Sequence, residues 1–115
     1  MALDCEYDLI VANNMKAPCK VTIVDHKGQI ILDTLINQRG PKGEDRELKR
    51  VPHIHGIETA DLIDAPEFSK VRDHIREIID PKSTIIIGHS IKHDLLVMEL
   101  TGYHFIDTST ILDSK

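Results

Sequence analysis

Residues 83–95 read Ser83-Thr-Ile-Ile-Ile-Gly-His-Ser-Ile-Lys-His-Asp-Leu95, and this stretch decides the fold. Ser83–Ile87 is an unbroken apolar run, expected to form a strand buried on both faces. Gly88-His-Ser90 then turns the chain into a helix over Ser90–Leu100, which Thr101-Gly102 stops. His104-Phe-Ile-Asp107 supplies one more short strand, so a buried strand is followed by a helical crossover back to the same sheet.

Working outward, Asp64-Ala-Pro-Glu67 is a helix start, with Asp64 as N-cap and Pro66 in the first turn. Phe68, Val71, Ile75, Ile78 and Ile79 recur behind it at helical spacing, with Lys70, Asp73, Arg76 and Glu77 turned outward, and Asp80-Pro81 ends the helix. Ile57–Asp64 is expected to hold a short helical turn. Arg39–Arg50 reads as a charged loop with five basic and three acidic residues, a solvated surface loop before it is a phosphate-steering one. Further back, Met1–Glu6 reads as a short strand and Tyr7–Pro18 as a turn-rich connection containing Asn13-Asn14. Lys20–Asp25 and Gln29–Ile36 pair as a hairpin across His26-Lys-Gly28. The order β-β-β-α-β-α-β predicts an α/β fold, an antiparallel meander and then a right-handed crossover, in one domain over residues 1–115.

Composition narrows the function. The 115 residues carry a net charge of −5, so no global basic field holds nucleic acid, although bound cations would invert the sign of an acidic pocket. Two isolated thiols, Cys5 and Cys19, with no CxxC pair, point to a reducing, intracellular setting. Without an 18-residue apolar run or a basic, apolar leader, the expectation is a chain that is neither membrane-spanning nor secreted.

The chemistry lies in acids. Asp4 and Glu6 stand two apart on a strand, leave the same face and have Cα atoms roughly 6.5 Å apart. Both can then lean toward one hard cation, or toward two about 3.5–4 Å apart. Leu3 and Cys5 face the other way and suit a core. A bare D-x-E is more often a water-exposed strand face; its place on a central strand favours metal. Asp94 shares the inward stripe of its helix with Ile91, Leu95 and Met98, which aims it at Asp4 and Glu6, although an acid in a first turn also suits the helix dipole.

Four motifs now stand in order: Ala2-Leu-Asp-Cys-Glu6, His55-Gly-Ile57 leading to Asp64-Ala-Pro66, Gly88-His-Ser-Ile-Lys-His-Asp-Leu95, and Asp107-Thr-Ser109. Together they resemble the DEDD 3′→5′ exonucleases, in the RNA-exonuclease branch related to interferon-stimulated exonuclease and the Rex proteins. The resemblance implies a ribonuclease H-like fold and two Mg²⁺ or Mn²⁺ ions. It implies Asp4, Glu6 and Asp94 as metal-binding and catalytic carboxylates, and a terminal-nucleotide site near Leu3, Cys5, Tyr7 and His89. It further implies a single-stranded nucleic acid 3′ end as substrate, RNA before DNA, and favours the nucleus. The family's third motif, a His followed five positions later by Asp, supplies the general base and the fourth ligand. It finds no place between Ser109 and Lys115. The expectation is therefore a site with three of four carboxylates in a fold lacking its last helices. Two functions follow from it: an exonuclease, or a catalytically dead scaffold that binds nucleic acid or protein.

Zinc is the other reading of seven histidines. His53-x-His55 has no partner at H-x₃₋₅-H spacing, and His89, four before His93, precedes the first helical turn. No Ser-His-Asp set and no GxGxxG or Walker loop stands out.

Overall fold

The computed structural model describes residues 1–39 and 46–109, with side chains at all of these except 52 and 53. The chain runs β1 (Ala2–Ile10), β2 (Lys16–Val24), β3 (Ile30–Leu35), β4 (Leu48–Lys49), α1 (Pro52–His55), α2 (Thr59–Leu62), α3 (Phe68–Ile78), β5 (Ile85–Gly88), α4 (Ile91–Val97) and β6 (His104–Asp107). The six strands form one mixed sheet in the order β3-β2-β1-β5-β6, with β4 on the end of β1. The meander is antiparallel, and β5 and β6 are parallel, β5 joining β1 at Ala2 opposite Ile87. This is an α/β fold consistent with a ribonuclease H-like architecture, with β1 in the middle.

Several elements differ from the sequence reading. Tyr7–Pro18 is mostly strand: β1 runs to Ile10 and β2 starts at Lys16. The turn between them is tight because Asn14 takes φ 57° and the Asn13 side chain accepts the Met15 N–H. Pro18 is tolerated within β2 because the register shifts there, between Glu6 and Tyr7 of β1. Leu48-Lys49, inside the supposed charged loop, pairs with Leu9 and Ile10; residues 40–45 of that loop lie outside the described residues. Helix α3 starts later than expected, with Glu67 and not Asp64 as its N-cap. Asn37 draws residues 62–67 onto the end of β3, its N–H donating to Pro66 and its amide to Leu62 and Ile63. Helix α4 ends at Val97 and not Leu100, because Glu99 takes φ 54°.

The main core lies between one sheet face and helices α3 and α4. Leu3, Cys5, Val21, Ile23 and Ile86 from the strands meet Val71, Ile75, Ile91 and Leu95 from the helices and Met98 just past α4. The apolar stripe of α3 is narrower than read, since Ile78 is exposed. On the opposite face a smaller cluster joins Cys19, Ile57, Leu62 and Leu35. That second cover is partial. Ile85 and Ile87 are 52% and 40% exposed, so β5 is buried on one face and not both. An unbroken apolar run shows that a strand can be covered twice, but not that both covers reach it.

Candidate functional site

Asp4 and Glu6 project from β1 on the partly covered face, Asp4 exposed and Glu6 half-buried. Asp94 reaches the same strand from the side. The β5-side edge of β1 is paired with β5 at Ala2 and with β4 at Leu9 and Ile10. In the gap between these pairings the Cys5 backbone N–H lies near the Asp94 carboxylate and favours its ionised form. Asp94 is only 7% exposed. Burial pushes its carboxyl up to about 6, and nearby Asp4 and Glu6 add to the rise, while Lys16 and the Cys5 N–H oppose it. The Cys5 thiol reports the same field: burial and then Asp94, Asp4 and Glu6 drive it far above its ordinary value, so it stays protonated. Cys5 and Leu3 are core side chains, as their alternation predicts, while Tyr7 is half-buried and His89 exposed.

Two features aim α4. Gly88 lies where β5 parts from β1, so close that a Cβ would meet the Leu3 carbonyl oxygen at 2.8 Å and Ile91 Cδ1 at 2.9 Å. Glycine is therefore required at the first position of the turn. At its far end Ser90 takes φ 54°, and its N–H donates to Asp107 Oδ1 at 2.9 Å. The same oxygen accepts the Ser109 N–H and hydroxyl, and these bonds, the Ser109 hydroxyl foremost, hold the Asp107 carboxyl below its ordinary value. The Asp107-Thr-Ser109 motif is thus a clamp on the turn that places Asp94.

The sequence reading missed Asp8. Alternation carries it to the face of Asp4 and Glu6, but there it is 1% exposed and fully engaged. Its Oδ1 accepts from Val51 N and meets His55 Nε2, both at 2.9 Å, and its Oδ2 accepts from Gln38 Nε2 at 2.9 Å and Arg50 Nε at 3.0 Å. Burial alone would raise this carboxyl; the bonds from His55, Val51, Gln38 and Arg50 outweigh it and hold it below its ordinary value. The signal was an acid at every second position, 4, 6 and 8, obscured by ending the strand at Glu6.

Among the described residues, one trio of candidate ligand atoms lies within 4.8 Å of one another: Asp8, Cys19 and His55. It does not suit a cation. Both Asp8 oxygens are occupied, Arg50 already supplies the positive charge, and burial pushes the Cys19 thiol up to about 12. His89 and His93 form no such group, and the His53 side chain lies outside the described residues. Asp4, Glu6 and Asp94 are spread more widely than one ion's ligand shell.

No family model matches the chain. RNA exonuclease 4 of Cryptococcus neoformans is 35% identical over 102 residues, which are 88% of this chain and 23% of that protein. A protein named as an exonuclease in Schizosaccharomyces pombe is 30% identical over 112 residues, 96% of this chain and 16% of its own length. Small RNA degrading nuclease 2 of Arabidopsis thaliana is 28% identical over 112 residues, 96% of this chain and 22% of that protein. The chain spans about a quarter or less of the length of these relatives. By sequence kinship over most of its own length, the chain stands among the relatives of the RNA exonucleases.

Proposed function

We propose that the chain carries the metal-binding part of an RNA exonuclease, which hydrolyses phosphodiester bonds at a 3′ end with two Mg²⁺ or Mn²⁺ ions held by Asp4, Glu6 and Asp94. One observation carries this reading: a buried carboxyl on α4 is set into the unpaired edge of the strand that bears two further acids, at the cost of a carboxyl pushed up to about 6. A structural acid gains nothing from that place, whereas a divalent cation would reverse both the burial penalty and the mutual repulsion. An all-carboxylate donor set suits hard ions such as Mg²⁺ or Mn²⁺.

Bound ions would supply Lewis-acid activation of water and neutralise the charge on the phosphate under attack. The chain's own residues do the rest. Asp94 is placed by the clamp of Asp107 on the Gly88–Ser90 turn. Tyr7, on the Cys5 side of β1, has its ring 6.4 Å from that of His93, the neighbour of Asp94 on α4, so these rings stand on the Asp94 side of the strand, where a terminal nucleotide is expected. The names of the relatives favour RNA over DNA.

The test is release of mononucleotides from 3′-labelled RNA in Mn²⁺, with EDTA and Asp4→Ala as controls, beside calorimetric Mn²⁺ titration. Metal-dependent release lost in Asp4→Ala supports the enzyme. Mn²⁺ binding without release leaves the scaffold reading, and absence of both sinks the proposal.

A further inference from the structure

The sheet face that carries Asp4 and Glu6 continues across β2 to β3 in rows of side chains. In one row Asp4 stands opposite Thr22 and Thr22 opposite Asp33; in the next, Glu6 stands opposite Lys20 and Lys20 opposite Leu35. Lys20 is the one cation in these two rows, and it has a choice of acids. Directly opposed residues of an antiparallel pair have Cβ atoms about 4.5–5.5 Å apart, so register makes Glu6 its natural partner. The ammonium turns instead diagonally toward β3, where Nζ lies 3.9 Å from Asp33 Oδ1. The Thr22 hydroxyl donates to that same oxygen at 2.9 Å and fixes its position. Among the described residues, Lys20 pairs with no other acid.

We infer that Asp33 is a positioning residue for the metal site: it holds the Lys20 ammonium off Glu6 and so keeps Asp4 and Glu6 open to a divalent cation. An ammonium seated on Glu6 would occupy its carboxylate oxygens and set a like charge beside an incoming ion. Lys20 is thus a tethered competitor of the metal, and Asp33, which contributes no ligand, sets how often it competes. The Lys20 and Asp33 side chains are 40% and 44% exposed, so their pair contributes little to stability and exchange of the ammonium between the two acids costs little. The inference rests on the reading of Asp4, Glu6 and Asp94 as metal ligands.

The experiment is calorimetric Mn²⁺ titration of the full chain, of Asp33→Asn, of Lys20→Gln and of the double variant, with circular dichroism to confirm the fold of each. Salt at about 0.15 M, with its screening length of ~8 Å, damps the bare effect of removing a charge on β3. Asp33→Asn should weaken Mn²⁺ binding about threefold, the scale of one exposed ion pair. In the Lys20→Gln background the same substitution should have no effect, because no ammonium remains to turn onto Glu6. An equal loss in both backgrounds is plain charge removal and overturns the inference, as does no loss in the native background. A second measurement contains no metal: a double-mutant cycle of Lys20→Gln and Glu6→Gln, read by urea unfolding in EDTA. The coupling should be marginal in the native background and reach about threefold in the unfolding equilibrium constant in the Asp33→Asn background. A coupling of the same size in both backgrounds, or in neither, overturns the inference alone. A native chain that binds no Mn²⁺ while the cycle behaves as expected overturns the carboxylate reading, and leaves the hold of Asp33 on Lys20 without a cation to admit.

Discussion

The backbone N–H of Cys5 lies near the carboxylate of Asp94, so an acid of α4 shares the electrostatic field of the first strand in the gap between β5 and β4 on the edge of β1. It is a compromise: the nearby N–H lowers the carboxyl, but burial and the neighbouring acids leave it near 6. Stability and metal binding are set against each other there.

Asp94→Asn should therefore stabilise the metal-free protein while abolishing Mn²⁺ affinity. The amide keeps the size and shape of the side chain, and the buried charge is gone. A carboxyl raised from 3.8 to about 6 binds protons more readily folded than unfolded, so its ionisation costs stability as pH rises through that window. The gain from Asn should be absent below pH 3.8 and grow to as much as about 3 kcal/mol above pH 6. Urea unfolding at a series of pH values measures it, and a loss of stability in Asp94→Asn at pH 7 would contradict the account.

The same proton competes with the cation. The rise in melting temperature on adding Mn²⁺ to the native chain should be small at pH 5 and increase toward pH 7, as the Asp94 carboxyl, with its value of about 6, gives up its proton. Thermal scans with and without Mn²⁺ settle this. A shift independent of pH would place the ion elsewhere.

Gly88→Ala should destabilise by about 1–3 kcal/mol, because the added methyl meets the Leu3 carbonyl oxygen, a backbone atom that cannot swing aside. It should also weaken Mn²⁺ binding, since relief of that clash moves the start of α4 away from β1. Denaturant midpoints and calorimetry on the one variant test both halves.

The candidate site was legible to different depths. Asp4 and Glu6 could be read because strand alternation is local, and Asp94 because a helical stripe with Ile91, Leu95 and Met98 has only one inward face. Tertiary partners hid the remainder. Tyr7–Pro18 carries turn residues at its centre, but pairing with β2 and β4 extends the strand through Asp8. Ile85 and Ile87 read as core because an apolar run does not encode which of its faces is covered.

Asp8 is the acid that should behave as structure alone, in contrast to Asp94. Its carboxyl lies below its ordinary value of 3.8, so it contributes stability at neutral pH that is lost as pH falls through its lower folded value. Asp8→Ala would leave the Arg50 guanidinium, 14% exposed, and the His55 imidazole, 1% exposed, without their acceptor, together with the Val51 N–H. Breaking one side of a buried ion pair costs about 3–5 kcal/mol. Replacing both members apolarly, Asp8→Leu with Arg50→Met, should recover much of that loss, because no orphaned guanidinium remains. If Asp8→Ala instead matched Asp94→Asn, gaining stability at neutral pH and losing Mn²⁺ affinity, Asp8 would belong to the metal site and the division of the three strand acids into two ligands and one anchor would be wrong.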